Sequence, residues 1–223
     1  MKLVWQTMGI SIELKENIVT NIIVESPSMM SKLVKDTMFQ CDGQEGKWLL
    51  FINNELEKLH KYCDIIMNPF SIDFNNKKII SRLYQQLKEI GDDFIEQQTV
   101  INSSVIQFLE MLLERIPYSN LTYKIDFDLE QLFKLYGVKI ENETETVLDG
   151  LIEYIKILSQ MMFVPILFLV NIKSYLSKEE VLELYKMARY HKVHLVLLES
   201  IEREIIDFEQ LFIIDKDLCL IVK

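Results

Sequence analysis

The chain has 223 residues, 49% of them hydrophobic, and its 24 lysines and arginines against 34 aspartates and glutamates leave a formal net charge of −10. That much apolar material fills one large core or two small ones and excludes a disordered chain. The acidic balance argues against a simple nucleic-acid binder, whose footprint is usually basic.

The first residues alternate (Leu3, Trp5, Thr7) without a basic region ahead of an apolar block, so no signal peptide is expected. Residues 2 to 8, 11 to 14 and 19 to 25 read as three short strands of an antiparallel meander. Ser26-Pro27 then supplies a cap and a first turn for a helix with Met29, Met30, Leu33, Val34 and Met38 on one face. Asp42-Gly-Gln-Glu-Gly46 ends it, and Trp48 to Ile52 reads as the next strand.

From Asn75 to about Ile116 the chain holds one glycine and no proline, and apolar residues recur at helical spacing. Two long helices in a hairpin are expected, with a break near residues 97 to 102. A third helix is expected over 127 to 136, capped by Asp126 and stopped by Gly137. Val138-Lys-Ile-Glu141 should resume the sheet, followed by a helix over 144 to 160. The apolar stretch from Ile155 to Val170 is broken by Lys156, Ser159, Gln160 and Pro165 and falls short of about 20 residues, so no membrane segment is expected and the protein should be cytoplasmic.

Phe163 to Asn171 and Val193 to Glu199 are short apolar runs around an amphipathic segment with Val181, Leu184, Tyr185 and Ala188 on one side. This is strand, helix, strand, and the two strands should pair in parallel. The first ends like the metal-binding strand of a nucleoside-triphosphatase, but in Asn171 where that strand carries an aspartate. A neutral amide anchors magnesium poorly. The chain closes on a strand-like run from Cys219 to Val222. The expected fold class is α/β, a degenerate P-loop-NTPase-like head (residues 1 to 62 and 143 to 223) interrupted by a helical leg at 63 to 142.

Catalytic signatures are missing where they would count. Gly43-Gln-Glu-Gly46-Lys47 ends like a phosphate loop, but its glycines are too close, Trp48 replaces the metal-binding hydroxyl, and it leads from helix to strand. The topologically fitting place is Tyr62 to Asn76, ahead of the helix opening at Lys77-Lys78, and it holds no glycine. His60, His191 and His194 are scattered, and no serine sits in a nucleophile elbow. Cys41, Cys63 and Cys219 form neither a disulfide framework nor a zinc motif. The expectation is a binding protein that is not an enzyme and takes no nucleotide.

Leu129-Glu-Gln-Leu-Phe-Lys-Leu-Tyr-Gly-Val-Lys-Ile-Glu141, Thr146-Val-Leu148, Ile166 to Asn171, Tyr175 to Val181 and Val196 to Glu199 together resemble the short form of the subtype II-A CRISPR-associated spacer-acquisition protein family. The resemblance implies a homotetrameric ring that encircles double-stranded DNA, favours free ends, binds calcium, and acts beside the CRISPR integrase complex and the effector nuclease. A ring also answers the charge problem, because symmetry repeats every inner-wall lysine. Residues 1 to 62 are the least acidic third, with 7 basic against 8 acidic groups. The lysines singled out for DNA are Lys32 and Lys35 on the first helix, Lys47, Lys77 and Lys78 near the head-leg boundary, and Lys134 and Lys139 around the third leg helix. Asp126 and Asp128 are the acidic residues left for calcium where relatives are acid-rich and this chain has Asn120, Thr122 and Lys124. The alternatives are a nucleotide-hydrolysing enzyme on the same sheet and a protein-only scaffold of the adaptation complex.

Overall fold

The computed structural model describes residues 1–118, 120–141 and 144–223. The chain divides into two compact units, Met1–Asp73 with Asn142–Lys223, and Phe74–Glu141. Among the described residues no helix is long and apolar enough to cross a membrane.

The first unit is mixed α/β and contains two sheets. Strands β1 (Lys2–Trp5), β2 (Ile10–Glu13), β4 (Trp48–Ile52) and β5 (Glu55–Glu57) form an antiparallel sheet in the order β2-β1-β4-β5. The larger sheet runs β10-β9-β3-β8-β7-β6, from β3 (Val19–Val24), β6 (Cys63–Ile66), β7 (Ile166–Val170), β8 (His194–Glu199), β9 (Glu209–Ile214) and β10 (Leu220–Val222). All its pairings are parallel except that of β10 with β9.

The strand-helix-strand expectation for residues 163 to 199 holds, with β7 and β8 in parallel around α6 (Lys178–Tyr190). Ser177 and Glu180 form a reciprocal capping box at its start. The expected three-strand meander does not form, because β3 leaves β1 and β2 and lies between β8 and β9. All six residues of β3 are buried, as a strand covered on both faces requires. Strand β9 has no counterpart among the expected elements, and residues 63 to 73, assigned to the helical leg, belong to the first unit because β6 is an edge of the large sheet.

One face of the large sheet carries Ile22, Val24, Phe168, Val196, Leu198 and Phe212 into a core shared with Leu3, Trp5, Trp48, Leu50 and α1 (Pro27–Cys41). Trp48 is its hub, 6.2 Å from the Trp5 ring and 5.5 Å from Phe168, with its indole N–H donating to Thr37 Oγ1 at 2.9 Å. The opposite face bears Ile23, Leu211 and Ile213. α5 (Val147–Ile157), capped by a Thr146–Asp149 box, packs beside α6, and one π-helical turn (Leu158–Met162) prolongs it toward β7.

The second unit is helical: α2 (Lys77–Gly91), α3 (Ile95–Leu113) and α4 (Leu129–Leu135). The break between the long helices falls at Asp92–Phe94, earlier than residues 97 to 102, and Gln98 Nε2 donates to Gly91 O there at 2.6 Å. α2 packs on α4 instead of pairing along its length with α3. The Tyr84 ring lies 5.5 Å from that of Phe133, tilted by 55°, and its hydroxyl donates to Val138 O at 3.1 Å. A Cβ on Gly91 would stand 2.5 Å from Leu129 Cδ1, so glycine permits this close approach. α4 starts two residues later than expected and is capped by Asp128, not Asp126, since Asp128 Oδ1 accepts from Glu130 N at 2.9 Å. Val138–Glu141 is not a strand. Its Ile140 N–H and C=O bond the Asn75 side-chain amide at 2.8 and 2.9 Å, so one asparagine supplies what a neighbouring strand would.

Candidate nucleic-acid interface

In open sheets of parallel strands, ligands bind beyond the carboxyl ends of the strands. Three connections there open helices, from β3 into α1, from β6 into α2 and from β7 into α6, and the first two lie where a phosphate loop would sit. From β3 only Glu25 and Ser26 lead into α1, where Ser26 makes no side-chain cap and Pro27 takes the first helical position. This position, on the central strand, is hidden in the sequence because β3 reads as part of a meander. The β6–α2 connection is longer, and Asn76 Oδ1 accepts from both Lys78 N (3.0 Å) and Ile79 N (3.1 Å). Those are the amides a phosphate would need, and the asparagine already occupies them. None of the three connections contains a glycine.

Asn171, the residue after β7, has φ 51° and ψ 32°. Asparagine tolerates that left-handed conformation better than most residues. Its Oδ1 accepts from Ser200 N and Ser200 Oγ, both at 2.9 Å, which ties the end of β7 to the end of β8. The residue is a clamp between strand ends. The Gly43–Lys47 loop is likewise structural: Gly43 takes φ +85°, and Gln40 brackets the loop by bonding Trp48 N and O at 2.7 and 2.9 Å.

Between the large sheet and α6 lies a buried polar cluster that the sequence does not disclose. Lys173 Nζ pairs with Glu209 Oε1 at 2.5 Å, and the same oxygen accepts from Tyr185 OH at 2.5 Å. Asn21 Nδ2 donates to Glu209 Oε2 at 3.3 Å, and Lys173 N donates to Glu199 Oε1 at 3.1 Å. Burial pushes the Glu199 carboxyl up to about 7 despite the Lys173 amide, and burial first, then Glu209, raises the Tyr185 hydroxyl. A buried pair of this kind costs desolvation and is retained only with good geometry and further hydrogen bonds, which Tyr185, Asn21 and the Glu204 carbonyl provide.

The seven lysines singled out for DNA are all exposed. Lys32 and Lys35 stand on α1 away from its buried residues Met30, Leu33, Thr37 and Cys41, and Lys35 Nζ lies 5.3 Å from the Phe39 ring centroid. Lys47 precedes β4 in the same unit. Lys77 and Lys78 occupy the first turn of α2, where the helix dipole disfavours cations. Helix stability does not account for them there. Lys134 is engaged with Glu130 at 2.6 Å, one turn away on α4, and Lys139 lies in the segment held by Asn75. The lysines thus fall into two groups: 32, 35 and 47 in the first unit, and 77, 78, 134 and 139 in the second.

Residues 40–218 match the family model described as CRISPR-associated protein (Cas_Csn2). The chain belongs to that family. It is 25% identical over 209 residues to the CRISPR-associated protein Csn2 of Streptococcus agalactiae, covering 91% of this chain and 90% of that one. With the Enterococcus faecalis Csn2 it shares 21% over 186 residues, 81% and 82% of the two chains. Its fold is similar to the crystal structure of Stu0660 of Streptococcus thermophilus, at a TM-score of 0.64 and 15% identity, over all of this chain and 76% of the other.

Two features bear on what a Csn2-family chain of this sequence assembles with. α3 contributes no buried residue, although Ile95, Val100, Val105, Phe108, Met111 and Leu112 all lie on it. A helix so apolar belongs in an interior. Calcium fits less well. Asp128 is committed to capping α4, and among the described residues no three His, Cys, Asp or Glu side chains converge as a metal site. Asp126 and Asp128 alone fall far short of the six to eight oxygens the ion takes. Ser119, in the segment ahead of α4, lies outside the described residues.

Proposed function

We propose that this chain is a non-catalytic, double-stranded-DNA-binding component of CRISPR spacer acquisition that works as a homotetrameric ring. α3 is the observation that carries the reading. Among the described residues its Ile95, Val100, Val105, Phe108, Met111 and Leu112 stay exposed although the helix is half-buried at Ile106, Leu109 and Leu113, and a second copy covers such a surface at about 25 cal/mol per Å² buried. Assembly then multiplies each exposed lysine, so a chain at −10 presents a basic lining inside while its acidic exterior keeps it soluble. The head is read as a degenerate NTPase scaffold because its helix-opening connections and its metal position are taken up by Asn76, Pro27 and Asn171 in structural roles.

DNA held this way is gripped through its phosphates, so binding is independent of sequence and falls steeply with salt as counterion release loses its driving force. A mobility-shift titration comparing linear with covalently closed duplex should show retention of the linear form, which can thread a ring through its free ends. Equal binding of both would remove threading, and no binding at low salt would remove DNA from the reading. ATP or GTP turnover that disappears in Lys77→Ala/Lys78→Ala would instead make the protein an enzyme.

A further inference from the structure

Beyond β6 and β7, at the carboxyl edge of the large sheet, two aromatic rings stand in water. Phe70 is 67% exposed and Tyr175 47%, with centroids 5.0 Å apart and planes at 79°. Both are held by ordered backbone. Asn68 Oδ1 accepts from Phe70 N at 3.1 Å and Asn68 Nδ2 donates to Ser71 Oγ at 2.9 Å, while Pro69 between them is buried. Tyr175 N donates to Ile172 O at 3.0 Å, closing the turn that follows the Asn171 clamp.

One cation is fixed beside them. Arg203 Nη2 donates to Ser174 Oγ at 3.1 Å, one residue from Tyr175. The glutamates on either side of Arg203 are both engaged by lysines, Glu202 by Lys223 at 3.0 Å and Glu204 by Lys178. The guanidinium is therefore a positive charge beside the two rings, while the loop's remaining exposed charge, Asp207, lies four residues further on. Rigid exposed aromatics next to an arginine, among neutral asparagine and serine side chains, match what an unpaired base and its phosphate require: a π-face to stack on and a cation close beside it.

We infer that Phe70, Tyr175 and Arg203 form a stacking site for an unpaired nucleobase of a DNA strand, such as a frayed or overhanging duplex end presents. The inference rests on the DNA-binding reading above but uses different residues from the lysines that grip the duplex. Stacking tolerates any base because every base has a π-face, so the site adds preference for unpaired strand without sequence preference.

The test uses the full chain with two probes, a single-stranded oligonucleotide carrying 2-aminopurine, whose fluorescence is quenched on stacking, and a blunt duplex in a mobility shift. The wild-type protein should quench the single strand. Phe70→Ala and Tyr175→Ala should each weaken that binding roughly 5- to 150-fold, as loss of one stacked base does, with blunt-duplex binding and thermal melting unchanged, and Phe70→Trp should retain it. Single-strand quenching without duplex retention would sink the ring reading and leave this site standing. Absence of quenching by the wild type, or equal quenching by the alanine variants, overturns the inference. So does loss of a protein partner by the variants with single-strand binding intact, which would make the pair a protein-docking patch.

Discussion

At the scale of single residues, the buried cluster under α6 makes stability depend on pH through Glu199. Its side chain is 1% exposed and its carboxyl is pushed from 4.5 up to about 7. The folded state therefore holds the proton more tightly than the unfolded chain. The contribution is fully present below about pH 4.5 and is lost as pH rises through 7, at about 1.4 kcal/mol per unit and about 3 kcal/mol in all. Urea denaturation of wild type and Glu199→Gln at several pH values isolates it. The variant accepts the Lys173 amide equally well, so it should match wild type near pH 4 and exceed it by about 2–3 kcal/mol at pH 8. An unchanged difference across pH would show that Glu199 does not titrate in that window. The Glu199 position is visible in the sequence as the polar end of an apolar strand; that it faces Lys173 and Tyr185 is not, because those side chains arrive from a different turn and a different helix.

At the scale of elements, the local signals succeed where the element carries its own boundary. Pro27 starts α1 as the sequence indicates, and the structure adds a Ser177–Glu180 box at the start of α6. They fail where a partner replaces the local rule. Val138–Glu141 has strand-like composition, but Asn75 takes its backbone groups, and Asp126 has capping chemistry, but Asp128 holds the amide. α3 is the element that, on the proposed reading, meets a second copy of the chain. Val105→Glu/Phe108→Glu places two carboxylates one turn apart on its exposed apolar surface. Light scattering should then show a smaller assembly than wild type while circular dichroism keeps the helical content, since neither residue is buried within the chain. An unchanged mass would move the subunit interface away from α3.

For the whole molecule, a net charge of −10 means that the proposed DNA binding would depend on where a few lysines sit. Lys77→Ala/Lys78→Ala should weaken duplex binding uniformly across sequences and flatten the dependence of log K on log salt by about 0.9 for each phosphate that the variant no longer neutralises. Lys134→Ala serves as the contrast, because its charge is already matched by Glu130 at 2.6 Å, and it should change the slope little. A larger effect from Lys134 than from the Lys77–Lys78 pair would reverse the proposed DNA-facing set. In a tetramer each substitution counts four times, so the slope also reports assembly.

The sequence by itself determined the α/β class, the parallel β7-α6-β8 unit, the long helices and the family, because apolar periodicity, caps and motif order are written within a few tens of residues. That the first of those strands ends in the neutral Asn171 was equally readable, one residue at the end of a strand. Only the tertiary structure decided that β3 sits in the large sheet, that β9 pairs with it, and that Glu209 meets Asn21 across 188 residues of chain. A strand buried on both faces shows no alternation, so its sequence carries its burial but not its neighbour. Pairing of distant strands and convergence of buried charges are settled by which surfaces are left to cover once the nearer elements have formed.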